Sequence, residues 1–243
     1  RGILGEPSDD SLSMGNLTLA EGAVVEVTAM RFAGTPAFET PFVVNGDLVL
    51  DGTMDVGLLG DVAANPEIEN NYRLFEYAGE LTDRGLVVGA VPLGYAAGDF
   101  TVDIATDNQV TLTVGKASNT FYWNGTGEGG DGIWRPANNE SWVNIVAPGA
   151  SYANPTALMI FDGTAGTVTV DGDSAAVAMG GGLRFDVDGY RIEGDALELG
   201  AASTAIIVGS DMRATIASGL AGTGGIDKDG EGALVLTGEG TYE

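Results

Sequence analysis

Apolar and polar residues alternate with a period of two along the whole of this 243-residue chain. Leu17-Thr18-Leu19, Val25-Glu26-Val27, Val110-Thr111-Leu112-Thr113-Val114 and Val168-Thr169-Val170 all read this way. So do Leu183-Arg184-Phe185-Asp186-Val187, Tyr190-Arg191-Ile192-Glu193 and Leu234-Val235-Leu236. Each run puts its apolar side chains on one face and its polar ones on the other, which predicts half-buried strands. The best helical candidate, Leu58 to Tyr72, contains Gly60, Asn65 and Pro66 and reads as a loop with at most one helical turn. The chain is therefore predicted to be all-β.

Short strands are separated by Gly beside Asp or Asn: Asn45-Gly46-Asp47, Asp51-Gly52, Asp162-Gly163, Asp171-Gly172-Asp173, Asp188-Gly189 and Glu193-Gly194-Asp195. These residues tolerate the positive φ angles of tight turns. Turns spaced at about 8–12 residues suit a sandwich or a barrel. Two features point to a solenoid instead. The pattern keeps one character over the whole length, and strands run together through single corners, as from Gly181 to Leu199. A hairpin must reverse the chain, whereas a solenoid only turns a corner and climbs.

Composition narrows the chemistry. With 10 basic and 35 acidic residues the formal charge is −25, and there is neither His nor Cys. Without Cys there is no disulfide framework, no thiolate nucleophile and no Cys-based metal site; without His, no Ser-His-Asp or Cys-His pair can form. The charge argues against nucleic acid and against an anionic membrane surface. The 39 glycines, about 16% of the chain, are over twice the usual share, yet apolar residues at 44% supply enough surface for a folded core. The uncharged stretch Ser141 to Phe161 is broken by Asn144, Pro148, Asn154 and Pro155 and is not a bilayer-spanning helix. No basic and then apolar leader opens the chain at Arg1, and Thr241-Tyr242-Glu243 carries no turn or cap residue. The expectation is a piece of a longer chain, whose open ladder edge would favour end-to-end association as salt rises.

Three segments carry a family resemblance. Lys228-Asp229-Gly230-Glu231-Gly232-Ala233-Leu234-Val235-Leu236-Thr237-Gly238, followed by Thr241-Tyr242, is similar to K-x-G-x-G-x-L-x-L-T-G-x-x-T-Y, the passenger-associated repeat of Gram-negative autotransporters (type V secretion). Gly240 stands where that family usually has Asn. Tyr72-Arg73-Leu74-Phe75-Glu76-Tyr77 with Gly79, Leu81-Thr82-Asp83 and Gly85-Leu86 resembles the strand pair closing one helical block, and Val110 to Val114 fits the strand that follows. Trp123-Asn124-Gly125-Thr126-Gly127, Trp134 and Trp142 resemble the opening of the next block. The resemblance spans most of residues 42–243; the first forty residues match in composition alone.

The resemblance implies a right-handed parallel β-helix displayed outside the cell. At about 20–25 residues per coil this gives about 11 coils, and at about 4.8 Å per coil a rod of roughly 50 Å. It divides the chain into a block over 1–116 and a second over 117–243, stacked continuously. A chain threaded unfolded through an outer-membrane pore is served by the lack of disulfides, and its charge keeps it in solution. The implied function is a non-enzymatic adhesin or adhesin stalk on the cell surface or outer membrane, or secreted after cleavage. The implied partners are a host surface protein or glycan, or the same protein on another cell, with an outer-membrane barrel in the full-length chain. A polysaccharide hydrolase or lyase on the same fold and a purely structural spacer are the alternatives.

Candidate sites are few. Trp123, Trp134 and Trp142 with Phe121 and Tyr122 could form a sugar-stacking platform, but the resemblance places them inside a block junction. Gly127 to Gly132 would then be a flexible exposed loop. Asp186 and Asp188 flank Val187 on one strand face, and Asp171 and Asp173 flank Gly172 at a turn; glycoside hydrolysis needs only two carboxyl groups. With 35 acids such pairs also arise as ordinary solvated faces. Asp227-Lys228-Asp229-Gly230-Glu231 has calcium-binding residue types without the spacing, and Gly181 to Asp186 approaches G-G-x-G-x-D except that Arg184 replaces the third Gly. No catalytic, cofactor or metal residues are assigned, and no cofactor is expected.

Overall fold

The computed structural model describes residues 2–4, 11–31, 42–59, 69–125, 127–136, 141–152, 156–200 and 203–241. These residues are almost entirely strand and turn, with a short 3-10 turn at Ala97–Asp99. The centre of the expected Leu58–Tyr72 loop, residues 60–68, lies outside the described residues, while its flanks end one strand, Leu48–Leu59, and begin another, Asn70–Tyr77. The chain divides into two compact units: residues 1–92 with 96–117, and residues 93–95 with 118–243.

The second unit is the more regular. Three faces are visited in rotation. The first holds Thr120–Trp123, Leu158–Phe161, Gly182–Phe185, Thr204–Val208 and Ile226–Asp229. A second holds Gly132–Trp134, Thr167–Val170, Arg191–Gly194, Arg213–Ile216 and Ala233–Leu236. The third holds Val177–Ala178, Leu197–Leu199 and Leu220–Gly222. Successive strands of each face pair in parallel. Leu158 pairs with Gly182, Gly182 with Ala205 and Ala205 with Asp227, steps of 24, 23 and 22 residues. The opening step is longer, 38 residues from Thr120 to Leu158.

In-register parallel strands put paired residues on the same side of the sheet, so alternation in sequence becomes columns in space. Met159, Leu183 and Ile206 form one buried column; Phe161, Phe185 and Val208 form another; Val168, Ile192 and Ile216 a third. The corners are tight. At Gly194 and Gly222, φ is +106° and +109°, and a Cβ would lie 2.3 Å from a carbonyl oxygen of the preceding coil (Val170 and Leu199). Only glycine allows the coils to close up there.

The first unit winds more widely. Leu17 pairs with Leu48 and Leu48 with Leu81, steps of 31 and 33 residues, in one parallel sheet. Leu12, Phe42 and Phe75 are in register in the other. Its core holds Val25, Val27, Leu48, Leu50, Met54, Leu74 and Phe75.

Parallel pairing is not universal. Gln109–Val114 runs antiparallel to Asn70–Tyr77 and to Phe100–Asp103, and Trp142–Val143 runs antiparallel to Thr120–Trp123. Period-two alternation is the same in either pairing mode, so the sequence pattern could not separate these strands from the rest. Gln109–Val114 covers the free edge of Asn70–Tyr77, and Trp142–Val143 that of Thr120–Trp123, edges that would otherwise offer free backbone groups.

Candidate functional site

The aromatic residues singled out in the sequence gather at the opening of the second unit, inside it. Trp123, Trp134, Trp142 and Phe121 are all buried. Trp142 is the hub, with its ring centroid 5.1 Å from Trp123, 5.2 Å from Trp134 and 5.1 Å from Phe161, each pair edge-on. Tyr152, missed in the sequence, joins them and donates its hydroxyl to the Arg135 carbonyl at 2.9 Å. Burial pushes the Tyr152 pKa up, and the Trp134 indole partly offsets this. A sugar-stacking platform needs exposed ring faces, and these rings have none. Tyr122 departs from the group. Neighbours on a strand point to opposite sides, and Tyr122 packs with Leu158, Ile160 and Leu93 in a separate small cluster. Leu93 sits in a short strap, residues 93–95, held by Gly94 N–H to the Thr156 carbonyl and by Asn119 N–H to the Gly94 carbonyl, both at 2.9 Å.

Gly127 to Gly132 is not the flexible loop expected of it. Gly127 N–H donates to Asp162 Oδ2 at 2.9 Å, Thr164 N–H to the Glu128 carbonyl at 3.1 Å, and Trp123 Nε1 to the Gly130 carbonyl at 2.9 Å. A Cβ on Gly129 would meet the Tyr190 hydroxyl at 2.3 Å, and one on Gly166 would meet Gly130 at 2.2 Å. At Gly129 and Gly166 one coil's turn rests directly on the next, whereas Gly127 and Gly130 have open space around them and serve their positive φ.

Tyr190 joins three successive turns. Its ring is buried, its hydroxyl donates to the Asp162 carbonyl at 2.9 Å, and it accepts from Gly130 N–H at 3.2 Å. Burial, with the Asp162 charge adding to it and the Gly130 hydrogen bond opposing, raises its pKa to about 12. Asp162 is also raised, first by burial and then by the Asp186 charge, against the Gly127 hydrogen bond. A half-buried acid with a raised pKa beside a second carboxylate resembles a glycosidase pair. Its geometry does not suit one, because Oδ1 is sealed from solvent without a partner and Oδ2 is taken by Gly127. The raised pKa here reports burial.

The other acid pairs are separated by their partners. The strand ends at Phe185, so Asp186 and Asp188 stand in a turn, at Gly189 with φ +98°, instead of on one strand face. Asp186 pairs with Arg184 at 2.8 Å, and Asp188 Oδ1 accepts from Arg213 N–H at 2.7 Å. Asp171 pairs with Arg135 at 2.7 Å, while the turn carrying Asp173 is capped by Asp195, which accepts from Gly172 and Ser174 N–H at 2.9 and 3.1 Å. Among the described residues no three acidic side chains converge as a metal site would require.

The sequence reading missed what many of these acids do. Asp47 accepts from Glu80 N–H at 2.9 Å, Asp55 from Ala90 N–H at 2.7 Å and Asp131 from Thr167 N–H at 2.6 Å. Asn16 does the same for Asp47 N–H at 3.0 Å. Each donor lies one coil away, so these corner side chains clamp coil to coil. At exposed corners such a bond contributes about 1 kcal/mol or less. An adjacent glycine was a partial signal: Asp131 precedes Gly132, and Asn16 and Asp47 follow Gly15 and Gly46, but Asp55 has no glycine beside it.

Comparison with known proteins agrees with the resemblance. The chain is 35% identical over 245 aligned residues to the adhesin BmaC autotransporter of Brucella suis biovar 1 (strain 1330). That alignment takes in 94% of this chain and 7% of the relative, so the chain spans a small part of the protein it matches. No family model matches the chain, and no solved structure does. The autotransporter resemblance, and the cell-surface or secreted location that goes with it, are supported by this relative.

Proposed function

We propose that this chain is a passenger segment of a surface-displayed autotransporter, and that it acts without catalysis as an adhesin or as the stalk of one. The observation that carries this reading is the similarity of nearly the whole chain to an adhesin. The proposed winding is a right-handed parallel β-helix. Parallel crossovers within one sheet favour that hand. The count of about 11 coils applies where the step is 22–24 residues; steps of 31 to 38 residues lower it. We also propose that coils stack without a break between residues 1–116 and 117–243, which limited proteolysis near 115–119 tests. Release of two stable halves there would overturn it.

Attachment on this reading is multivalent. Weak contacts are spread along outward-facing side chains, and avidity replaces a single deep pocket. The partners would be a host surface protein or glycan, or a second copy on a neighbouring cell. The spacer reading is favoured by one observation: the large aromatic rings are spent on the interior. Purified chain tested for saturable binding to host-cell monolayers, matrix proteins and glycan arrays decides between them. Saturable binding supports the adhesin. An inert chain whose deletion from the displayed protein still abolishes attachment indicates the stalk.

A further inference from the structure

We propose that Asp229-Gly230 is a site of spontaneous covalent modification, where the folded coil directs Asp229 to rearrange to isoaspartate. The chain holds six Asp-Gly dipeptides, at Asp51, Asp131, Asp162, Asp171, Asp188 and Asp229. In five of them another residue engages the carboxylate. Asp51 lies 3.7 Å from Arg84, Asp171 pairs with Arg135 at 2.7 Å, and Asp131, Asp162 and Asp188 accept the N–H of Thr167, Gly127 and Arg213. The following nitrogens are also occupied where their bonds are defined: Gly172 N–H donates to Asp195, and Gly189 N–H to the Arg213 carbonyl.

Asp229 is different. Its own Oδ1 accepts from the Gly230 N–H at 2.7 Å, so the bond that occupies this nitrogen is made by the very carboxyl whose Cγ it must attack. Gly230 has φ +75° and no Cβ to obstruct that approach. The Lys228 ammonium donates to the carbonyl of Asp229 at 3.3 Å and to that of Gly230. Polarising the Asp229 carbonyl draws density from the Asp229–Gly230 amide and makes its N–H a better acid. Nitrogen and carboxyl are therefore held close beforehand, which is the orientation effect that accelerates intramolecular reactions.

The step balances without a co-reactant. Gly230 nitrogen gives its proton to solvent and bonds to Asp229 Cγ, and one carboxyl oxygen leaves as water, closing a succinimide. Water then opens the ring. Attack at the former side-chain carbonyl restores Asp; attack at the main-chain carbonyl yields isoaspartate with unchanged mass. The product routes the backbone through Cβ, adding one atom to the chain at the Ile207–Asp229 pair. That loosens the rung carrying the Lys228–Gly238 repeat.

The test needs only the unaltered chain. It is incubated folded in mildly acidic buffer. Isoaspartate is then read at each site by isoaspartyl methylation and peptide mapping, alongside a urea-denatured sample. In the folded chain Asp229 should convert roughly tenfold faster than the other five, and in the denatured sample all six should convert at similar rates. Equal rates in the folded chain, or a different leading site, would overturn the proposal. In Lys228→Gln the folded-state rate at Asp229 should fall severalfold; an unchanged rate would overturn the activating part given to the Lys228 ammonium.

Discussion

Phe161 and Phe185 stack face to face in the second unit, with ring centroids 4.7 Å apart and planes 5° from parallel. That separation equals the spacing of hydrogen-bonded strands, so the rings repeat one per coil. Both are fully buried, and the Trp142 edge meets Phe161 from the opening coil. Replacing Phe185 with Ala removes a ring between two layers that cannot collapse onto each other. The cost should be about 3–5 kcal/mol, with Phe185→Leu costing markedly less. Urea unfolding checks this: the midpoint should fall while the denaturant slope holds.

Asp162 gives a pH dependence of unusual sign for a carboxylate. Its native pKa is raised, so the folded chain holds the proton more tightly than the unfolded chain. The stability tied to that proton is fully present below the unfolded pKa of about 3.9 and is lost as pH rises through the raised native value. At neutral pH the charge is therefore a burden, with a sealed, unpartnered Oδ1. Asp162→Asn should be more stable than the parent at pH 7, and the gap should close on acidification. Paired thermal melts across pH isolate this group from the general effects of a charge of −25. A gap that widens on acidification would contradict the sign.

The Tyr190 hydroxyl joins Asp162 to Gly130, so Tyr190→Phe removes both of its hydrogen bonds, while the Gly130 N–H keeps the Thr164 carbonyl. The loss should be about 1–2 kcal/mol, with faster proteolytic nicking in residues 127–131. The native pKa is raised to about 12, so the tyrosine's contribution is complete below its unfolded value near 10 and disappears as pH rises through 12. Alkaline titration followed by phenolate absorbance should show this tyrosine ionising late, together with unfolding.

Strand content was legible from the sequence because a period of two is a one-dimensional signal. Val168-Thr169-Val170 and Val110 to Val114 lie in strands as read. Pairing was less legible. Nothing in Gln109–Val114 itself states that it returns antiparallel, since the partner and direction depend on chain far away. Burial of the Trp cluster followed from the resemblance, but Tyr122 was misgrouped by its position beside Phe121. The corner acids were read as solvated because a carboxylate beside glycine looks the same in sequence whether or not a backbone N–H one coil away reaches it. Asp47 and Asp131 are clamps only because coil length brings Glu80 and Thr167 there.

The strand Ala233–Leu236 provides a test of the edge of its sheet. Alternation in the sequence makes Leu234 and Leu236 face inward and Val235 outward. By register Leu234 lies over Ala214 and Leu236 over Ile216, both fully buried, so the two leucines do share the inner side. They are not equally covered, although both lie on one strand paired on one side only: Leu234 packs on the core, whereas Leu236 is 43% exposed. Side-chain direction is thus set by alternation and cover by the neighbouring coil. Leu234→Asp should therefore cost about 2–3 kcal/mol, because it brings a charge against the apolar column. Leu236→Asp should cost less than about 1 kcal/mol, as a surface change does. Repeating both substitutions in a longer chain carrying residues beyond Glu243 makes the comparison sharper. If a further parallel coil stacks on this strand, Leu236 becomes an interior residue and its substitution should become as costly as that of Leu234. If the Leu236→Asp cost stays small in the longer chain, no apolar layer follows on this face.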